Sequence, residues 1–198
     1  MTVKTGFLKK EANSLFSALV FLTVIKIPIN DFSPNNSVRA FPLIGLFLGF
    51  ILYGLTFIDI EIIPLIQVII YIFLTGAIHI DGLADTSDAI FSHKTTKEKL
   101  NIMKDSRIGT MGAISLVLNL LVKFSCFTIL ENSIYLLFIP AYSRFSMVIA
   151  IYRLPYIREN SINKNFFNNK NNTMLIYGLL ILIFSILFNF KFIYLIII

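Results

Sequence analysis

Four predominantly apolar stretches, residues 41–58, 62–80, 108–130 and 133–154, each run for 18 residues or more, and a fifth begins near residue 173. A helix rises about 1.5 Å per residue, so runs of that length cover the roughly 30 Å of hydrocarbon in a bilayer. Soluble folds have no use for several such runs. With 57% hydrophobic and only 14% charged residues, the chain sits well below the charge content of soluble proteins, about a quarter. Disorder requires low hydrophobicity, and a disulfide scaffold requires more than the single Cys126. The expected fold is therefore all-α: a polytopic integral membrane helix bundle of five to six membrane segments, forming one domain over residues 1–198.

The excess of 17 Lys and Arg over 11 acids is dispersed between the apolar runs, which argues for topology and against nucleic acid. Links at Asp59/Glu61 and at Glu131 carry no Lys or Arg. Residues 81–107 carry Lys94, Lys97, Lys99, Lys104 and Arg107, and residues 153–172 carry Arg153, Arg158, Lys164 and Lys170. By the positive-inside rule both of these segments face the cytoplasm. At the N-terminus, Lys4, Lys9 and Lys10 precede a short apolar run, residues 15–25, that Lys26 follows. No small-residue cleavage site appears there, so a retained re-entrant or interfacial helix is expected. Gly45 and Gly49 form a Gly-x-x-x-Gly pair suited to close helix packing. Cys126 reads as apolar filler, and the seven Asn of residues 160–172 read as a connector.

Chemistry concentrates in His79-Ile80-Asp81-Gly82-Leu83-Ala84-Asp85-Thr86-Ser87-Asp88, at the end of an apolar run. On a helix Asp81, Asp85 and Asp88 fall at about 0°, 40° and −20°, so the three carboxylates share one face. Like charges so placed repel, and no Lys or Arg is interleaved before Lys94. A cation is expected among them. Oxygen-only ligands favour Mg²⁺ or Mn²⁺, with His79 beside the substrate as a hydrogen-bonding neighbour, because hard cations rarely choose imidazole. The ordinary alternative is a solvated acidic helix end.

Thr95 and Glu98 form a capping-box pattern that predicts a short surface helix. It leads into Lys104-Asp105-Ser106-Arg107-Ile108-Gly109-Thr110-Met111-Gly112, where basic side chains and free amides at a helix start would bind an anion, phosphate being the natural one. Lys104, Ser106, Arg107 and Gly109 are the candidate phosphate contacts. A carboxylate face for a divalent cation beside such a turn is what phosphoryl transfer requires. Arg144, near the middle of the fourth long run, is expected to face the bundle interior and to line the substrate site.

Three stretches together resemble the cobalamin synthase family, also called adenosylcobinamide-GDP ribazoletransferase: Phe41-Pro42-Leu43-Ile44-Gly45, Gly76 through Asp88, and Ile102 through Gly109 with Gly112. A weaker echo lies in Tyr142-Ser143-Arg144-Phe145 and Leu154-Pro155-Tyr156, and the likeness runs from about residue 14 to residue 168. The resemblance implies a Mg²⁺-dependent transfer in which adenosylcobinamide-GDP and α-ribazole, or its 5′-phosphate, are joined and GMP is released. It would put Asp81, Asp85 and Asp88 on the metal and diphosphate, and Lys104 and Arg107 on phosphate. Asp105 would be a further metal ligand or the base orienting the attacking ribose hydroxyl. The cytoplasmic membrane is the expected location, with the site facing the cytoplasm, the lipid bilayer as partner and a homo-oligomer left open. Family members usually continue into a further span and a late acidic motif, so a short, truncated or split chain is expected.

Two other classes gather carboxylates in membranes. A cation transporter would place them near the midplane, often with repeated halves, whereas here they sit at an edge. A CDP-alcohol-type phosphotransferase would follow Asp-Gly with an Ala-Arg pair, which is absent after Asp81-Gly82.

Overall fold

A computed structural model describes residues 2–29, 32–130, 134–158, 162–168, 170 and 172–188. The order is α1 (Thr2–Leu22), α2 (Pro34–Ser37), α3 (Phe41–Leu55), α4 (Ile63–Leu74), α5 (Ile78–Phe91), α6 (Thr96–Ile102), α7 (Thr110–Ile129), α8 (Tyr135–Arg153) and α9 (Ile176–Phe188). Short 3₁₀ turns lie at Val38–Ala40, Ile162–Phe167 and Asn172–Leu175. Among the described residues there is no strand, as an all-α reading requires. Among the described residues three helical stretches are long and apolar enough to cross a membrane: Pro34–Leu55, Thr110–Ile129 and Tyr135–Arg153. α1 is not among them, and the terminal run is described only as far as residue 188.

The chain divides into two compact units, residues 1–57 with 132–198, and residues 58–131. In the first, α3 and α8 pack backbone against backbone. A Cβ on Gly45 would stand 2.6 Å from Ala141 Cα, and one on Gly49 would stand 2.7 Å from the Leu137 carbonyl carbon. The Gly-x-x-x-Gly spacing puts both glycines on one face of α3, and the absent side chains are what let α8 approach. Phe41, at the start of α3, stacks on Phe21 of α1 at 5.7 Å between centroids, and Phe166 joins Phe21 at 4.5 Å.

In the second unit the run expected to be one span over residues 62–80 is broken. α4 stops after 12 residues, Gly76 (φ 61°) and Ala77 (φ 57°) adopt the left-handed region, and α5 leaves at 86° to α4. The acidic motif therefore lies in a helix of its own, not at the tail of a span. Left-handed backbone costs an L-residue about 1–2 kcal/mol, a cost that glycine escapes. Gly76→Ala should lower stability by about 1 kcal/mol and Ala77→Gly should not lower it, as read from unfolding of the detergent-solubilised protein. α7 keeps only 11% of its span buried, and Val117, Leu118, Leu121 and Val122 point outward. An outward apolar surface of that kind suits lipid as its solvent.

Candidate active site

The whole sequence from Ile78 to Phe91 is α-helical, so Asp81, Asp85 and Asp88 occur on successive turns of α5. Asp81 is exposed in the first turn, where the helix dipole favours a negative charge, while Asp85 and Asp88 are partly buried. A shared face is not a shared point. From Asp81 to Asp88 the axis rises about 10.5 Å, too far for short side chains to converge. Among the described residues no three His, Cys, Asp or Glu side chains gather to hold a metal ion. Two carboxylates one turn apart, Asp81 and Asp85, still fit Mg²⁺, which ordinarily takes one or two protein carboxylates and completes its shell with water and substrate phosphate.

The third carboxylate has two backbone partners. Asp88 Oδ2 accepts the Gly109 N–H at 2.7 Å, and Oδ1 accepts the Gly112 N–H at 2.8 Å. The first turn of any helix leaves amides without intrahelical partners, and Gly109, the N-cap of α7, has no side chain to supply one. Asp88 supplies it from 21 and 24 residues away. The amides expected to be open to phosphate are thus held by Asp88 in this structure, and the acid expected on the metal also caps α7. Both glycines are required by the approach: a Cβ on Gly109 would lie 2.8 Å from Asp88 Cγ, and one on Gly112 would lie 3.0 Å from it. Gly112 is the participant that residue chemistry alone did not single out. The signal was available, since two glycines three residues apart at a helix start leave room for an outside partner.

Between α5 and α7, α6 opens on the capping box that the sequence suggested. Thr95 N–H and Oγ1 both donate to Glu98 Oε2, at 3.0 and 2.7 Å, and these bonds hold the Glu98 carboxyl below the usual carboxylate range. The turn that follows is organised by Asp105 and Arg107. Arg107 Nε donates to Oδ1 at 3.0 Å, Nη2 donates to Oδ2 at 2.5 Å, and the Arg107 N–H donates to Oδ1 at 3.1 Å. The Arg107 guanidinium, with its amide, pulls the Asp105 carboxyl down to about 2. So weak a base is poorly suited to accept a proton near neutral pH. The pairing uses Nε and Nη2, which leaves the Nη1 end of a side chain 87% exposed to meet a second anion. Lys104 and Ser106 are exposed beside it.

The Asp105 value has a consequence in acid. Because the folded-state value lies below the ordinary 3.8, the pairing contributes fully above about pH 4 and is lost as pH falls towards 2. In a carboxyl-carbon NMR titration Asp105 should ionise near 2, and in Arg107→Gln it should return towards 3.8.

His79 lies partly buried in the first turn of α5. Arg144 belongs to the other unit, on α8, where it is buried to 2% exposure and its Nη1 donates to Ser143 Oγ at 3.3 Å. The structure therefore joins Asp88 to Gly109 and Gly112, and Asp105 to Arg107, all within the unit of residues 58–131.

Residues 14–198 match the family described as cobalamin-5-phosphate synthase, CobS. Similar proteins named adenosylcobinamide-GDP ribazoletransferase include one from Fusobacterium nucleatum, 36% identical over 172 residues, covering 76% of this chain and 62% of that protein. Another, from Clostridioides difficile, is 34% identical over 188 residues, covering 89% of this chain and 73% of that protein. A third, from Treponema denticola, is 46% identical over 115 residues, covering 54% and 44%. The chain thus spans less than two thirds of the Fusobacterium and Treponema proteins. No solved structure matches. A family match that takes in all but the first 13 residues, with both motifs inside it, means that this chain belongs to the cobalamin-5-phosphate synthase family.

Proposed function

We propose that the protein transfers the adenosylcobinamide-phosphate group of adenosylcobinamide-GDP to a ribose hydroxyl of α-ribazole, or of its 5′-phosphate, and releases GMP. The observation that carries this reading is the Asp88 carboxylate, which ties the acidic helix α5 to the start of α7, two residues beyond Arg107 of the basic turn. In the transfer the ribose hydroxyl gives up its proton to solvent or to the departing GMP phosphate, its oxygen bonds to the cobinamide-side phosphorus, and the bridging P–O bond breaks there so that GMP leaves with the bridging oxygen. A Mg²⁺ held by Asp81 and Asp85 would neutralise the diphosphate and stabilise the leaving GMP. Arg107 offers Nη1, and Lys104 its ammonium, to the phosphate oxygens where charge develops. Asp105 keeps the guanidinium plane aimed; as a group ionised to about pH 2, it acts as a positioning residue.

The five cations between Lys94 and Arg107 favour a cytoplasmic membrane location with this site on the cytoplasmic side. The test is GMP release by the reconstituted protein given adenosylcobinamide-GDP, α-ribazole and Mg²⁺. Chelating the metal should reduce release at least ~100-fold, a loss of about 3 kcal/mol of transition-state stabilisation. Folded protein that releases no GMP at any metal concentration would overturn the proposal.

A further inference from the structure

The first unit contains a cavity of about 360 Å³ that no part of the transfer chemistry uses, lined by Lys10, Ser33, Asn35, Asn36, Arg39 and Lys170 among others. We infer that this cavity is a binding site for a phosphoryl-bearing anion. Three cations converge on it from α1, the 3₁₀ turn before α3 and the segment before α9, positions 10, 39 and 170 in the chain. Among the described lining residues there is no carboxylate. Glu11 is the acid paired with Arg39, its Oε1 2.9 Å from Nη2, so three positive charges stand against one negative.

Two of these cations are held, not merely tethered. Glu11 is itself fixed by the Tyr177 hydroxyl, which donates to Oε2 at 3.0 Å, and the Arg39 side chain is only 18% exposed. Lys170 Nζ donates to the Leu154 carbonyl at 2.6 Å and stands 5.9 Å from the centre of the Phe167 ring. Fixed cations in a concave wall focus the field inward, and little side-chain freedom remains to be lost when an anion enters. Neutral groups complete the lining. Asn36 Nδ2 donates to Ser33 Oγ at 2.8 Å, and Asn35 Oδ1 is a buried acceptor that no described residue satisfies. An acceptor left so is costly and is satisfied by a ligand that brings a hydroxyl or N–H along with its charge. Arginine with lysines, a side-chain amide and a hydroxyl make up a phosphate-type donor set.

That chemistry has two sources. Arg39 and Ser33 flank the start of the span Pro34–Leu55, the level at which phospholipid headgroups lie, and a soluble phosphorylated molecule presents the same group. The experiment uses the full chain in detergent and in nanodiscs. Equilibrium dialysis with labelled inorganic phosphate and pyrophosphate reads the soluble source. Native mass spectrometry of retained phosphatidylglycerol against phosphatidylcholine reads the headgroup. The wild type should bind at least one of these probes, and Lys10→Gln with Lys170→Gln should weaken that binding at least ~10-fold with the melting curve retained. Arg39→Lys, which keeps the charge and removes the fork, should give an intermediate loss. If it does not fold, the lysine pair decides alone. Binding of neither probe by the wild type, or unchanged affinity in the lysine pair, would overturn the inference. In an Asp88→Ala background the loss caused by Lys10→Gln with Lys170→Gln should be unchanged, so this site and the transfer reaction are tested separately.

Discussion

Asp88→Ala should lower the rate of GMP release at least ~100-fold while leaving a folded protein. The substitution removes the acceptor of two amides at the start of α7, a cap whose loss costs about 2 kcal/mol. The larger effect falls on turnover. Lys104 and Arg107 reach α7 through Gly109, and a displacement of about 1 Å at reacting groups is enough to cost on the order of 100-fold. Conservative replacements should fare little better. In Asp88→Asn one of the two positions becomes an NH₂ facing an N–H donor, so a bond is exchanged for a repulsion. Asp88→Glu adds a methylene where a Cβ on either glycine would already lie within 3.0 Å of the carboxylate carbon. Asp59→Asn, in the exposed link before α4, is the control and should leave turnover unchanged. The measurements are steady-state GMP release and thermal unfolding on the same preparations.

Gly49→Val should destabilise the first unit by about 3 kcal/mol or more. Every atom added at residue 49 is directed at the Leu137 peptide of α8, and a peptide group cannot turn aside as a side-chain tip can. Relief requires α3 and α8 to separate, which would also open the Gly45 contact with Ala141 four residues earlier. Gly54→Ala supplies the contrast within the same helix. Nothing lies within 4 Å of a Cβ built there, so the change should be neutral or should stabilise by about 0.5–1 kcal/mol through helix propensity. Denaturant or thermal unfolding in detergent should separate the two variants cleanly.

What could be read in advance was local. Length and apolarity gave α3, α7 and α8 to within a few residues, except that the first of these spans begins earlier, at Pro34. Thr95 with Glu98 gave the α6 cap, because a capping box is written in four consecutive residues. Gly45 and Gly49 announced a close helix contact without naming α8 as the partner. The break at Gly76–Ala77 was hidden, since residues 69–80 stay mostly apolar through it and an alanine at φ 57° follows no local preference. Asp88 was readable as an acid on a shared face, but not as a cap. Its partners lie 21 and 24 residues on, and the angle between α5 and α7 decides whether it reaches them. The cationic cavity was equally hidden, because positions 10, 39 and 170 converge only in three dimensions.

The short first arm of the broken span bears on the surrounding lipid. Twelve residues of α4 reach about 18 Å, well short of the roughly 30 Å apolar slab. A bilayer laid against α4 must thin locally, or admit water, before His79 and Asp81 are reached, since hydrocarbon cannot solvate them. The dent so formed would give a polar ligand a wet approach to carboxylates that an unbroken helix would have carried past the headgroups.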